Sequence, residues 1–398
     1  MNKLNDIFEV FIVFLRLGLT SFGGPIAHLG YFHDEFVSKR KWIEEHSYAD
    51  LVGLCQFLPG PASSQVGIAL GFSRAGYIGA FAAWLGFTLP SAIILVAFAF
   101  GISHLTGTIH LSYLHGLKIV AVAVVAYAIW GMSLKICTDK TRISVAIAGA
   151  ILASLFPSAI GQISVILIGG IIGLIFLREK QQIPSTPFLK NASKRIGKKI
   201  GISLLAIYFG LLIFLPIIAQ QQPNSLIKEF DSFYRAGTLV FGGGHVVLPL
   251  LKSEVVNSGW VTNEAFMAGY GAAQAIPGPL FAFTAYLGAI SSVHPGVLAA
   301  IICLVAAFLP SYLLVVGVLP FWEQLRQYEN MKHAIKGINA AVVGLLMAAF
   351  YNPVWTSAIF NAKDFSLAVF AFLLLAFWKS PSWLVVLICA LVSGLILK

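Results

Sequence analysis

Charged residues are scarce in this chain. Asp, Glu, Lys and Arg make up only 11% of its 398 residues, whereas soluble domains carry about 25%. The four cysteines stand singly in or beside apolar segments, so we expect packing residues rather than a metal or redox centre. No H-E-x-x-H set, P-loop or nucleophile–base pair occurs. The sequence therefore predicts no cofactor, no metal site, no ATP-driven pump and no enzyme, including a membrane-bound enzyme acting on an anionic lipid or a quinone.

Long apolar runs are what the chain has instead. Hydrophobic residues make up 58% of it and the mean hydropathy is +0.87. The runs at 75–101, 112–134 and 200–220 reach the length of about 20 residues that a helix needs to cross a bilayer. We predict an all-α polytopic protein of the cytoplasmic membrane with the lipid bilayer as its surroundings. No small-residue cleavage site follows Lys3, so a cleaved signal peptide is not expected.

The positive charge is concentrated in one segment. Residues 178–199 hold seven Lys or Arg and one acid, within a chain whose net charge is +10. A nucleic-acid patch is one interpretation, but a cytoplasmic loop obeying the positive-inside rule is favoured, and no nucleic-acid partner is predicted. The segment divides the chain into a first half of 1–177, the linker 178–199, a connecting transmembrane helix at 200–220, and a second half of 221–398.

The two halves share four sequence blocks in the same order. FLRLGLTSFGGP (14–25) aligns with FYRAGTLVFGGG (233–244), and QFLPGP (56–61) with QAIPGP (274–279). TLPSAIILV (88–96) aligns with FLPSYLLVV (308–316), and GLKIVAVAVV (116–125) with GINAAVVGLL (337–346). Because all four pairs lie 218 to 221 residues apart, the chain is an internal duplication.

Loop charges predict that the repeats are inverted across the membrane rather than parallel. A single helix at 200–220 would start the second half on the opposite face. Residues 101–116 have no Lys or Arg, whereas the matching 320–336 has three. Conversely, SKRKW (38–42) has three basic residues where VVNSGW (255–260) has none. Trp42 and Trp260, at these equivalent positions, are interpreted as interfacial anchors.

The FGG and PGP motifs break helices at membrane depth. Proline removes a helix donor, and non-helical backbone there must be enclosed by protein or water. Each broken segment either crosses the membrane once or turns back as a re-entrant hairpin, and the sequence leaves both open. In either form, a half-helix ending at the break presents unpaired N–H groups and the positive end of its dipole. The breaks therefore predict an anion site.

Arg16 and Arg235 each lie six residues before an FGG motif. Intramembrane charges are functional candidates, and a guanidinium can bind two oxygens of an oxyanion at once. The alternative is that each arginine snorkels to an interface or pairs with an acid such as Glu9 or Asp231. The predicted anion path further comprises Phe22, Gly23, Gly24, Pro25, Gln56, Pro59, Gly60, Pro61, Ser63, Ser64, Phe241, Gly242, Gly243, Gly244, Gln274, Pro277, Gly278 and Pro279. Helix capping explains the serines equally well.

Two histidines follow the FGG breaks. His28 and His245 are candidates for carrying a coupled proton, because histidine titrates near neutrality. A hydrogen-bonded packing histidine is the commoner alternative. Homo-oligomerisation is left open by the sequence.

These motifs resemble the chromate ion transporter family in its long, two-domain form. The first half carries LGLTSFGGPIAHLGYF, FVSKRKW, QFLPGPASSQVGIALG and AGYIGAFAAWLGFTLPS; the second carries GTLVFGGGHVVLPLL, GWVTNEAF, AQAIPGPLFAFTAYLG and FLPS. The resemblance spans residues 8–398. It implies export of chromate, a tetrahedral dianion similar to sulfate, driven by the membrane potential or a proton gradient, through a path built by the FGG and PGP motifs. Transport of sulfate or another oxyanion, and a passive anion channel, are the alternatives.

Overall fold

The computed structural model describes residues 3–105, 111–177, 196–221, 225–241, 247–325 and 328–396, and these form helices with no strand among them. The first half contains α1 (Lys3–Thr20), α2 (Gly24–His33), α3 (Glu45–Phe57), α4 (Ala62–Leu105), α5 (Leu111–Ile136), α6 (Lys140–Leu155) and α7 (Ala159–Phe176). Then come α8 (Lys198–Gln220), α9 (Leu226–Thr238), α10 (Val247–Val255), α11 (Asn263–Ala273), α12 (Phe283–Ile290), α13 (Val297–Val318), α14 (Trp322–Leu325), α15 (Glu329–Ala349), α16 (Ala362–Ala376) and α17 (Ser382–Ile396).

Five helices in the described part of the chain are long and apolar enough to cross a membrane. They are Ala62–Gly101, Tyr113–Ile136, Lys198–Gln220, Val297–Phe321 and Asn330–Trp355. The prediction of an all-α polytopic membrane protein is confirmed. Most of the predicted linker 178–199 lies outside the described residues.

The longest helix, α4, reverses direction near one end. Ala75 and Gly76 leave helical geometry, and Gly76 has a φ of 67°. A Cβ added at Gly71 would meet the carbonyl of Gly79, so the first arm (62–74) packs back along the second arm (77–105). The PGP motif at the start of the first arm therefore lies beside the middle of the second arm, about 20 Å from the reversal at 1.5 Å per helical residue.

The helices on either side of FGGP form a re-entrant hairpin. Arg74, next to the reversal of α4, pairs with Asp6 at 3.2 Å and Glu9 at 3.0 Å, which places the start of α1 at this end. Gly18, near the end of α1, packs instead against the Phe87 carbonyl deep in α4. The chain then returns through α2 to the end where α1 starts. Just after α2, the Phe36 ring stacks on Trp42, with 4.8 Å between the two ring centroids. We call the end holding Trp42 and Arg74 the Trp42 end.

The PGP segment forms a second hairpin from the same end. His33 Nε2 contacts Glu45 Oε2 at 2.6 Å, so α3 starts where α2 finishes. It runs inward to the PGP turn, and the first arm of α4 leads back until Arg74 lies 5.5 Å from the centre of the Trp42 ring. The sequence left a crossing and a re-entrant hairpin open for both motifs; the first half adopts the hairpin at both.

The second half repeats this arrangement from the opposite end. A Cβ at Gly237 on α9 would meet the Ala307 carbonyl on α13, which corresponds to the contact between Gly18 and Phe87. The turn between α12 and α13 is tied to the loop before α11, because the Ser292 N–H donates to the Trp260 carbonyl at 2.8 Å. The turn between α12 and α13 and this loop form what we call the Trp260 end.

The equivalent long helices of the two halves run antiparallel. Trp84 packs on Phe308 at 5.8 Å between ring centroids, and the Tyr312 hydroxyl donates to the Tyr77 carbonyl at 3.1 Å. Along this contact the residue numbers rise on α13 as they fall on α4, so the two helices run in opposite directions. The Trp42 and Trp260 ends therefore lie at opposite ends of these helices, as an inverted repeat requires.

The halves also exchange helices. Equivalent helices α5 and α15 each pack against the final helix pair of the other half. Gly116 on α5 lies against the Cys389 carbonyl on α17, 2.5 Å from an added Cβ, while Gly337 on α15 lies against Gly169 and Gly173 on α7. The two repeats thus interlock instead of forming separate globules.

Candidate anion site

The four helix breaks are linked by two reciprocal hydrogen bonds between the halves. The Gly60 N–H in the first PGP donates to the Val240 carbonyl at 2.7 Å, and the Gly278 N–H in the second PGP donates to the Ser21 carbonyl at 2.9 Å. Val240 and Ser21 each immediately precede an FGG motif. Each PGP turn is therefore bound to the FGG break of the opposite half, and all four breaks share one region.

Both PGP glycines need the backbone freedom of glycine. Gly60 has a φ of 123° and Gly278 a φ of 101°, values that L-residues rarely adopt. A Cβ on Gly60 would stand 2.5 Å from the Ser311 hydroxyl, and one on Gly278 would stand 2.9 Å from the Ser91 hydroxyl. Ser91 and Ser311 are the equivalent serines of the two LPS motifs. Each PGP turn thus packs closely on the LPS serine of the opposite half.

Helices begin at these breaks and point their N-termini inward. Gly23, with a φ of 97°, is the N-cap of α2. The first arm of α4 starts directly after Pro61, and a short 3₁₀ turn that leads into α12 starts after Pro279. A helix N-terminus presents unpaired N–H donors and positive dipole charge, so the shared region is suited to an anion.

Several buried polar side chains around the breaks have atoms without a hydrogen-bond partner in the described structure. The Ser21 and Ser311 side chains are fully buried and Ser64 is 3% exposed, yet none of their hydroxyls has a partner. Such atoms are costly unless something pairs with them. The unpartnered atoms are Ser21 Oγ, His28 Nε2, Ser64 Oγ, Gln65 Oε1, Thr88 Oγ1, Gln274 Nε2 and Ser311 Oγ. Hydroxyl and amide donors in this set fit the oxygens of an anion.

The other polar residues near the first-half breaks divide between the core and the surface. His28 is buried beside the break, with Nδ1 3.4 Å from Ser63 Oγ and its ring on Phe87. Gln65 Nε2 donates to the Pro59 carbonyl at 2.6 Å and so closes the PGP turn. Gln56 lies on an exposed face of α3 that also carries Glu45, Ala49 and Gly53. Small and polar side chains on that face suit an aqueous approach from the Trp42 end.

The two predicted arginines have different surroundings. Arg235 donates from Nη1 and Nη2 to Glu254 at 2.8 and 2.9 Å, and from Nε and Nη2 to Asp231 at 3.1 and 3.0 Å. Asp231 is fully buried and also contacts Lys228 at 3.5 Å. Two cations and two carboxylates balance in this network. Arg235 is therefore ion-paired, as the alternative with Asp231 anticipated, and it is neutralised by two carboxylates.

Arg16 is exposed, and no ion pair or side-chain hydrogen bond of it is found among the described residues. Glu9, its anticipated partner, binds Arg40 and Arg74 instead. Arg16 continues an exposed stripe of α1 whose other members are Leu4, Phe8 and Ile12, between 44% and 73% exposed. Its guanidinium remains available for a ligand.

Other predicted residues adopt simpler positions or lie outside the described chain. Phe22 approaches Trp383 at 6.3 Å between ring centroids, and Phe241 packs against the core. Pro277 and Pro279 are buried with Gly278. Gly242, Gly243, Gly244 and His245 lie outside the described residues.

Sequence reasoning missed the two LPS serines and Ser21. The LPS motif was visible as a repeated block, and recurrence of Ser91 and Ser311 within it was the available signal. For Ser21 no signal existed, because its equivalent is Val240 and only the carbonyl of that residue is used.

Comparison with known proteins agrees with the duplication. A family model described as chromate transporter matches residues 8–174 and again 227–394. A probable chromate transport protein of Synechococcus elongatus is 26% identical over 96% of this chain and 93% of its own length. An uncharacterised transporter of Methanocaldococcus jannaschii is 26% identical over 99% of this chain and 96% of its own. The chromate transport protein of Pseudomonas aeruginosa is 27% identical over 85% and 79%. No solved structure matches.

Proposed function

This chain belongs to the chromate transporter family as a multi-pass protein of the cell membrane, and we propose that it exports chromate, or a tetrahedral oxyanion of the same shape and charge, as a secondary transporter. The proposal rests on one observation. Helix N-termini converge at the FGG and PGP breaks, and each half hydrogen-bonds the break of the other half. Relatives named as chromate transport proteins support the choice of oxyanion. Sulfate has the same geometry and is the alternative substrate.

Hydrogen-bond donors from both halves replace the water molecules that surround the anion in solution. Backbone N–H groups at the starts of α2, the first arm of α4 and the turn before α12 supply part of them, with positive dipole charge. The Ser21, Ser64 and Ser311 hydroxyls, which have no hydrogen-bond partner among the described residues, supply further donors. Arg16, about 7.5 Å along the helix axis before Ser21, contributes the guanidinium, since Arg235 is engaged by carboxylates.

Alternating access follows from the inverted repeat. The hairpins of each half reach the shared region from opposite ends, so one half moving against the other opens it to either side. We assign the Trp42 end to the cytoplasm, because Lys39, Arg40 and Lys41 lie there. Export then runs from the Trp42 end to the Trp260 end, driven by a proton gradient or the membrane potential.

Flux in proteoliposomes tests the proposal. Chromate and sulfate movement is measured under imposed pH and potential gradients for the parent, Ser311→Ala and Ser154→Ala. Ser154 is exposed and donates only to its own helix, so its variant should match the parent. Ser311→Ala should slow flux by about tenfold or more, since a hydrogen bond to a charged group contributes about 1.5–3 kcal/mol.

If chromate and sulfate flux were the same in liposomes that contain the protein and in protein-free liposomes, transport by this protein would be contradicted. Flux that follows the potential alone, without counterflow of labelled anion, would identify a passive channel instead of a carrier.

A further inference from the structure

A buried carboxylate faces a histidine at the Trp260 end. Glu229, in the first turn of α9, is 1% exposed. Its Oε1 accepts a hydrogen bond from Ser291 Oγ at 2.6 Å, while its Oε2 has no hydrogen-bond partner in the described structure. His294 Nδ1 lies 3.9 Å from that Oε2 and is also unpartnered. A proton shared between these two atoms would satisfy both.

The Trp42 end carries a permanently charged version of the same arrangement. Arg74 and His294 each stand two residues before the positive-φ glycine of a hairpin turn, Gly76 and Gly296. Arg74 pairs with Glu9 of α1 at 3.0 Å, as His294 faces Glu229 of α9. When the two FGG motifs are aligned, the position of Glu9 falls one residue before that of Glu229. Arginine stays charged at all physiological pH values, whereas histidine and a buried carboxylate exchange protons.

We propose that Glu229 and His294 form the site that binds the proton coupled to oxyanion movement. The proposal rests on the proposed function above. His294 is 38% exposed and so reaches bulk water, while Glu229 lies behind it. A proton from the outside solution binds His294 and passes to Glu229 Oε2, leaving a neutral carboxyl and a neutral imidazole. The neutral carboxyl can donate its proton to His294 Nδ1 and so hold the turn to α9; once the proton leaves, Glu229 Oε2 and His294 Nδ1 are again unpaired and the hairpin can move.

The neighbouring charged groups are paired elsewhere or lie away from Glu229 and His294. On α9, Lys228 and Asp231 contact each other and belong to the Arg235 network. On α13, Cys303 is the titratable group that faces Glu229, and its side chain is fully buried. The charged residues of α8, Lys198 and Lys199, lie at its other end, and α12 has none. His28 lies at the central breaks instead and is not part of this site.

Transport measurements separate proton coupling from anion binding. Glu229→Gln keeps the acceptor for Ser291 but cannot bind a proton. With a gradient of one pH unit and no potential, the parent should accumulate labelled chromate about tenfold per coupled proton, because one pH unit corresponds to about 1.4 kcal/mol. Glu229→Gln should lose this accumulation yet retain chromate counterflow. Glu264→Gln, an exposed carboxylate in the first turn of α11 at the same end, should behave as the parent.

His294→Arg copies the permanent pair of the Trp42 end and should also lose accumulation driven by the pH gradient. Retained accumulation in both Glu229→Gln and His294→Arg would overturn the proposal. Thermal unfolding in detergent checks that each variant is folded, and Glu229→Asp should restore coupling.

A direct readout of the proton keeps the test independent of the transported anion. In infrared spectra of the purified protein in D2O, the parent should show a carboxylic-acid C=O band that titrates with pH, and Glu229→Gln should lack it. The same band in Glu229→Gln would overturn the proposal. If the parent moves neither chromate nor sulfate but shows this band, the proposed function fails while the proton site stands.

Discussion

The Gly278 N–H donates a 2.9 Å hydrogen bond to the Ser21 carbonyl, and these residues belong to different halves of the chain. Together with the bond from Gly60 to Val240, it holds the break of one half against the break of the other. A substrate at this region would contact both halves at once. Movement of one half against the other therefore changes the site itself, as alternating access demands.

Gly60→Ala and Gly278→Ala should each abolish most transport. An L-residue at these positive φ values costs about 1–3 kcal/mol, and the new Cβ meets the LPS serine of the other half. The measurement is chromate counterflow together with the unfolding midpoint in detergent. Gly131→Ala is the matched control, because its Cβ would enter open space on α5. Parental counterflow in both variants would show that the PGP geometry is not needed.

Arg235→Ala should destabilise the protein, whereas Arg16→Ala should not. Removing Arg235 leaves Asp231 and Glu254 without their main partner, and an uncompensated buried charge costs about 3–5 kcal/mol. Arg16 makes no such pair with any residue that the structure describes, so its loss should slow flux while the unfolding midpoint stays parental. Both quantities are measured on each variant. Unchanged flux in folded Arg16→Ala would remove this arginine from the anion path.

Cysteine labelling should place Ser38 and Ser258 on opposite sides of the membrane. Both residues are exposed, and each lies near the tryptophan that names its end. In a background without Cys55, Cys137, Cys303 and Cys389, an impermeant maleimide should label Ser38→Cys only from the cytoplasm and Ser258→Cys only from outside. Labelling of both from one side would contradict the inverted arrangement and the re-entrant course of the hairpins.

Gly337→Ala should weaken the interlock between the halves. Its Cβ would meet the backbone of Gly169 and Gly173 on α7, where no side chain can move aside. Overpacking of this kind costs about 1–3 kcal/mol, so the unfolding midpoint in detergent should fall. Gly210→Ala on α8, with open space around its Cβ, should leave the midpoint unchanged or raise it. Equal midpoints for the two variants would contradict the tight contact between α15 and α7.

Much of this architecture was readable from local sequence. Apolar runs of spanning length predict helices in a bilayer, because the backbone must satisfy its own hydrogen bonds there. The positions of the breaks followed from FGGP and PGP, since the effects of glycine and proline act within a turn. The duplication was visible as repeated blocks. The predicted boundaries at 177, 199 and 220, and the roles of the individual residues in the anion path, stay predictions.

The sequence by itself determined a duplicated, all-helical membrane protein with helices broken at known places. Tertiary structure decided the direction the chain takes after each break, because a crossing and a hairpin satisfy the same local pattern. It also decided that Gly60 meets Val240 and Gly278 meets Ser21, contacts between residues far apart in the chain. The two arginines share a motif, yet within the described part of the chain only Arg235 is neutralised, since Asp231 and Glu254 reach it and no carboxylate described there reaches Arg16.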